Sequence, residues 1–390
     1  MKTFLEEALR TLDQKNLRRQ LHFQDSRCAA RIFFDGKEVL NFCSNNYLGL
    51  ADDERLCQAA KEAMDTQGFG AGASRLVCGN MSAHQELEEK VAEFKGTEAA
   101  LTFSTGYMAN LGIISSVFGR EDIIFSDKLN HASIIDGIIL SQAEFKRYPH
   151  RDMATLEEML KSVAGFKKRA IITDSVFSMD GDLAPLDEIV KLAKAYDCIV
   201  MIDEAHALGV MGEKGKGLAE HFNLEGQIDI QMGTFSKAVG SFGAYVCGSR
   251  VLIDFLVNKA RSFIYTTGLP PAVSAASEKG LEIIEQEPEL RQKLWDNTFF
   301  VQRRVKELGF NTLGSQTPII PLLTGDANLA VEFSKRLFEA GILINAIRPP
   351  TVPQNTARLR LTVMATHTKN DLEYLLEKLE EVGKELKIIK

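Results

Sequence analysis

Lys237 lies in Thr234-Phe235-Ser236-Lys237-Ala238-Val239-Gly240, directly after an apolar run over 228–232 that reads as a strand. Its neighbours are small residues and hydroxyls. Thr234 and Ser236 are able to ligate a phosphate, and Gly240 and Gly243 allow close backbone approach. Upstream, Ile202-Asp203-Glu204-Ala205-His206 places an acid at the end of a second apolar strand. An amine for a Schiff base, a carboxylate for a pyridine nitrogen and hydroxyls for a phosphate are together what pyridoxal 5′-phosphate (PLP) requires. A lysine at a strand end is by itself usually a solvated cation, and Asp203 is what changes the reading.

Other segments fit the same chemistry. Ser104-Thr105-Gly106-Tyr107-Met108-Ala109-Asn110 follows a strand and opens a helix, so N–H groups at the positive end of the helix dipole are available to a phosphate. His131 opens another helix, either as a cap or as an imidazole stacked on a pyridine ring. Asp203 and His206 are three apart and share a crevice if the strand turns after Asp203. Asp203 would keep the ring nitrogen protonated, and His206 would lie near the ring hydroxyl. Ser175 to Asp182 either lines the site through Ser178 or is only a strand-to-helix turn. Arg358 and Arg360 alternate with leucines and so share one strand face, whose arginines suit a carboxylate. Periodicity alone does not choose between them.

These residues need a scaffold that brings strand ends together. Runs over 99–103, 122–126, 170–173, 198–203, 228–232 and 243–247 read as strands. Segments 155–163 and 186–195 carry the apolar i, i+3, i+4 stripe of helices lying on a sheet. Near-continuous Ile/Val/Met strands flanked by such helices make an α/β fold with a mostly parallel sheet covered on both faces. Ligands of such sheets bind beyond the carboxyl ends of the strands, where Asp203 and Lys237 fall. A helix over 274–286, ending at Glu287-Pro288, reads as a hinge into a smaller α+β unit. Strands over 319–323, 342–346 and 358–363, a helix over 327–340 closed by Gly341, and a last helix over 370–386 complete it. The division is 1–45 as an N-terminal arm, 46–286 as the large PLP-binding domain and 287–390 as the small C-terminal domain.

With 390 residues the chain exceeds the roughly 250–300 that one core serves, in keeping with that division. A net charge of −7 with no lysine/arginine block argues against nucleic acid as a partner. No apolar run approaches the ~18 residues needed to cross a membrane, and the first residues read as an amphipathic helix, not a secretory leader. Six cysteines without CxxC or metal spacing imply a reducing, cytoplasmic setting and no metal site.

The motifs NFCSNNYLGL, TGYMAN, SDKLNHASIIDG, SVFSMDGDLAPL, DEAHALGV and TFSKAVG, in this order, resemble those of the α-oxoamine synthases. The resemblance spans nearly the whole chain. It implies a PLP-dependent transferase of fold type I (aspartate aminotransferase-like) that condenses an amino acid with an acyl thioester and releases carbon dioxide. The run Ala346 to Pro353 is similar to the branch that joins L-alanine to a pimeloyl thioester in biotin biosynthesis, with the acyl group on CoA or on acyl-carrier protein. The rivals are the branch using glycine and acetyl-CoA, and a non-catalytic relative serving as a partner subunit. By motif position the resemblance makes Lys237 the Schiff-base lysine, Asp203 the pyridinium partner and His131 the stacking histidine. Ser178 and His206 fall near the ring hydroxyl, and Gly106, Tyr107, Thr234 and Ser236 on the phosphate side. Arg360 falls on the amino-acid carboxylate, Arg18 and Asn46 on further substrate positions, and Thr351 beside the acyl chain. It also implies a homodimer with the site at the interface, where Thr266 and Thr267 reach the other subunit's phosphate. Gly72-Ala73-Ser74-Arg75-Leu76 departs from the Gly-Gly-Ser-Gly-His form of some members, leaving Ser74 and Arg75 unassigned.

Overall fold

A computed structural model describes residues 1–14 and 18–390; residues 15–17 of the expected arm lie outside it. Its strands, in chain order, are β1 (Arg31–Phe34), β2 (Lys37–Asn41), β3 (Ala99–Phe103), β4 (Ile123–Asp127), β5 (Glu144–Tyr148), β6 (Arg169–Asp174) and β7 (Ile199–Asp203). There follow β8 (Ile230–Thr234), β9 (Ala244–Gly248), β10 (Ile319–Gly325), β11 (Ile342–Leu343), β12 (Asn345–Ile347) and β13 (Ala357–Thr362).

The main sheet has the order β3-β9-β8-β7-β6-β4-β5. β5, β4, β6, β7 and β8 are mutually parallel, and β9 alone runs against its neighbours. Alternation along each strand feeds two cores. Ile123, Phe125, Ile171, Val200 and Ile202 enter one. Ile124, Ala170, Ile172 and Met201 enter the other. Helix Leu186–Ala195 shows how sequence sets a covering element. Leu186, Ile189, Val190 and Ala193 form its buried stripe, with Asp187 and Glu188 in the first turn and Lys194 in the last, matching the helix dipole. β5 escapes detection from sequence because Glu144, Lys146 and Arg147 interrupt it, as suits an edge strand.

In the C-terminal part, β10, β13 and β12 form an antiparallel sheet on which helices Ala327–Glu339 and Lys369–Glu385 pack. The β1–β2 hairpin joins this part through β11, with Leu40 opposite Ile342, and Leu40 and Phe42 enter the same core. Helix Pro271–Gln286 ends at Glu287, and helix Pro288–Glu307 begins at once with proline in its first turn. Because β3, β4, β6, β7 and β8 point the same way, the loops after them converge on one edge of the main sheet. No helix among the described residues is long and apolar enough to cross a membrane.

Candidate active site

At that edge a cavity of about 820 Å³ opens between the main sheet and the C-terminal part. Each converging strand brings a residue to its wall: Gly106 and Tyr107 after β3, His131 after β4, Ser178 after β6, Asp203 and His206 from the end of β7, and Thr234, Ser236 and Lys237 from the end of β8. The C-terminal part closes it with Thr351 and Arg360. The loop carrying Lys237 can lie where it does because Gly240 has φ +74°, and a Cβ there would sit 2.4 Å from the backbone of Leu50 and Ala51.

Asp203 is buried, and its oxygens accept from the Ala205 N–H at 2.9 Å and from Asn110 Nδ2 at 2.8 Å. Asn110 also donates to Ser133 Oγ at 2.9 Å. An amide NH₂ only donates, so Ser133 Oγ accepts there and is left to give its own proton to His131 Nδ1, 2.8 Å away. The His131 ring proton is thereby placed on Nε2. Partial burial lowers the His131 pKa, Asp203 opposes this and Lys237 reinforces it. His131 thus caps helix Ala132–Ser141 and faces the cavity at once.

Burial drives His206 well below its ordinary pKa, and Lys237, Arg360 and His131 push it the same way, so the ring is neutral. Tyr47, whose hydroxyl is pushed up to about 12 by burial, lies 2.7 Å from His206 Nδ1. With Tyr47 donating, Nε2 of His206 carries the proton. Burial lowers the Lys237 amine to about 8, even though Asp203 and Asp174 pull upward. Asp174 stands beside Asp203 in register at the end of β6 and accepts from the His131 N–H at 2.6 Å. Burial, and next the charge of Asp203, push its carboxyl well above the usual range, while the His131 N–H and Lys237 pull it back down.

Both arginines of β13 are buried on one face, and their partners separate them. Arg358 makes an ion pair with Asp180 at 2.7 Å. Arg360 donates to Ser178 O at 2.6 Å, Thr362 Oγ1 at 3.0 Å and Asn45 Oδ1 at 3.0 Å, all neutral. The Tyr47 hydroxyl, also neutral, is a further neighbour of the guanidinium.

Four expected residues lie elsewhere. Arg18 is exposed and paired with Asp13 at 2.8 Å. Asn46 is turned into the protein, bonded to Cys28 O and the Ala51 N–H, while its neighbour Asn45 reaches Arg360. Thr266 and Thr267 line a separate small cleft with Ser104 and Arg75. Arg75 is held by both oxygens of Glu88, at 2.6 and 2.9 Å, and by Thr102 Oγ1 at 3.0 Å, an anchor for its loop. Residues that the sequence reading did not assign are Asn45, Tyr47, Asn110 and Asp174. Asp174 had a signal, since like Asp203 it directly follows an apolar run. Asn110 had one too, being four residues from Gly106 and hence on the same helix face.

The donor set fits PLP. A depressed amine, a buried carboxylate at the neighbouring strand end and a helix start beside two hydroxyls are gathered in one cavity.

The chain belongs to the aminotransferase class I and II family, which it matches over residues 37–379, and within it to the α-oxoamine synthases. It is similar to 8-amino-7-oxononanoate synthase of Thermoanaerobacter pseudethanolicus, 51% identical over 387 residues that cover 99% of this chain and 98% of the relative. The enzyme of the same name from Geobacter sulfurreducens is 50% identical over 384 residues, covering 98% of each. Among solved structures it is similar to a serine palmitoyltransferase from S. paucimobilis with bound PLP–myriocin. That match has a TM-score of 0.94 and 32% identity, covering 99% of this chain and 98% of the other. The 8-amino-7-oxononanoate synthase of Francisella tularensis matches with a TM-score of 0.79 and 32% identity, over 90% of this chain and 98% of the other.

Proposed function

We infer that this protein catalyses the PLP-dependent condensation of L-alanine with a pimeloyl thioester, of CoA or of acyl-carrier protein. The products are 8-amino-7-oxononanoate, carbon dioxide and free thiol, in biotin biosynthesis. The observation that carries this is half identity, over the full chain, to relatives named for that product. The cavity supports it with one set of groups for the cofactor and another for an amino acid.

In this reading Lys237 would hold the cofactor through its aldehyde carbon, Asp203 would partner its ring nitrogen and His131 would cover its ring face. Ser178 and His206 would serve its hydroxyl, and the Gly106–Tyr107 helix start, Thr234 and Ser236 would hold its phosphate. Bound there, PLP supplies an electron sink for negative charge at the amino-acid α-carbon. Arg360 binds the alanine carboxylate through its guanidinium and so orients the α-carbon. Once the amino group of alanine has replaced it on that carbon, the freed Lys237 amine, which burial depresses to about 8, would be the group to take and return the α-proton. The Nε2–H of His206 offers a hydrogen bond to oxygen that gains charge on the acyl carbon. Thr351, with Ile347 beside it in the cavity wall, borders the acyl chain and limits water. We place the chain in a cytoplasmic homodimer, with Thr266 and Thr267 facing the other protomer's phosphate and Arg18 on the substrate side.

The test is product mass after incubation with PLP, L-alanine and pimeloyl-CoA, beside a reaction with glycine and acetyl-CoA. The amino-oxononanoate mass from the first is expected. Turnover confined to glycine and acetyl-CoA would move the protein to the other branch.

A further inference from the structure

His150, outside the cavity, bridges two buried carboxylates. Its Nδ1 lies 3.0 Å from Asp127 Oδ1 and its Nε2 2.9 Å from Asp182 Oδ2. Asp127 ends β4; its Oδ1 also accepts from the Leu129 N–H at 2.8 Å, and its carbonyl from the Asn130 N–H at 3.2 Å, which shapes the turn leading to His131. Asp182 lies in the loop between β6 and helix Leu186–Ala195. Within that loop Ser178 O accepts from Arg360 Nε, and Asp180 pairs with Arg358. Its Gly181 O accepts from Thr317 Oγ1 at 2.9 Å. Gly181 has φ +69°, and a Cβ there would sit 2.0 Å from Ile319 O. The loop is therefore wedged between the main sheet and the C-terminal part, with His150 fastening its outer end.

We propose that His150 is a positioning residue that ties the turn carrying His131 to the loop carrying Ser178, and so holds Arg360 in its substrate-facing orientation. The proposal rests on the reading of Arg360 as receptor for the amino-acid carboxylate. An imidazole with carboxylates on both nitrogens must donate from both, which only the protonated ring does. The groups facing it are Asp127 from β4, Asp182 from the loop and Phe177 edge-on at 4.4 Å. Arg151 from its own segment joins Asp182 at 3.1 Å, so two cations meet two anions. Burial pulls the His150 pKa down, but the hydrogen bonds to Asp127 and Asp182 outweigh it and raise it to about 9. A folded pKa above the ordinary 6.5 means that the clamp is fully present below 6.5 and is lost as pH rises through about 9.

The experiment compares PLP-loaded wild type with H150Q, D182N and the double variant. Two readouts are used: KM and kcat for L-alanine, and amide hydrogen exchange at Phe177, Gly181 and Ala184, whose N–H groups close this loop. Glutamine reaches one carboxylate and lacks the charge. Each single variant is expected to raise KM roughly tenfold with kcat changed far less, and to speed exchange at those amides. The double variant should be no worse than either single one, because both break the same link. D182N carries the same test if H150Q does not fold. Wild-type exchange or wild-type KM in a folded variant, or additive effects, would overturn the proposal. R360K separates the two readings: unchanged KM there removes the carboxylate role of Arg360, and loop exchange alone then judges the clamp.

Discussion

Substituting Arg360 by lysine or methionine separates what this side chain does for binding from what it does for the fold. Arg360 is 7% exposed, and its guanidinium gives three N–H groups to neutral acceptors. A buried cation so partnered is poorly compensated until an anion arrives. Arg360→Lys keeps the charge but loses the fork that meets both carboxylate oxygens. A hydrogen bond to a charged group contributes about 1.5–3 kcal/mol. At about 1.4 kcal/mol per tenfold, KM for L-alanine should rise on the order of 10- to 100-fold. Arg360→Met should lose at least as much binding while its melting temperature stays close to wild type, because the uncompensated charge leaves with the donors. Initial rates over an alanine series and thermal melts of the same preparations measure both. Unchanged KM in both variants would refute the carboxylate assignment. A collapse in stability for Arg360→Met would refute the charge argument.

Asp174 and Asp203 should answer differently to the same near-isosteric change. Burial raises the Asp174 carboxyl above its ordinary 3.8 in the folded state, so its contribution to stability is present at low pH and falls as pH rises. Asp174→Asn should therefore melt at or above wild type at neutral pH and keep most turnover, whereas Asp203→Asn should lose turnover; melts against pH and rate assays decide, and equal activity losses would sink the distinction. The Lys237 amine, depressed from 10.5 to about 8, should be reductively methylated ahead of other lysines in cofactor-free protein. Half-maximal rate is expected near pH 8 by peptide mass mapping, and a half-point near 10.5 would refute it. Because that folded pKa lies below the unfolded one, cofactor-free stability should gain from this group as pH rises from 8 to 10.5. Gly240→Ala forces a Cβ against the Leu50–Ala51 backbone at positive φ and should cost about 2 kcal/mol or more. An unchanged urea midpoint would contradict the close approach.

The parallel strands were legible because each is a short apolar run whose alternate residues enter two cores. A strand end in such a sheet is also where ligands bind, which made Asp203 and Lys237 readable as a pair. The β13 pattern likewise placed Arg358 and Arg360 on one face, since side chains alternate with period two. Periodicity says which residues share a face, not what stands opposite. That Arg358 meets Asp180 while Arg360 meets only neutral acceptors was decided by a loop about 180 residues away, from the contacts themselves. The choice between Asn45 and Asn46 was set by a turn, where no period applies and backbone torsions aim each side chain. The pairing of β2 with β11 and the bridge from Asp127 through His150 to Asp182 left no local trace, because distant segments meet only once the chain has folded. The sequence by itself determined the kinds of chemical group and the strand ends that carry them. Tertiary structure decided which of those groups are charged, which are already partnered, and which remain free for a ligand, because burial and neighbours shift proton equilibria in ways that composition does not record.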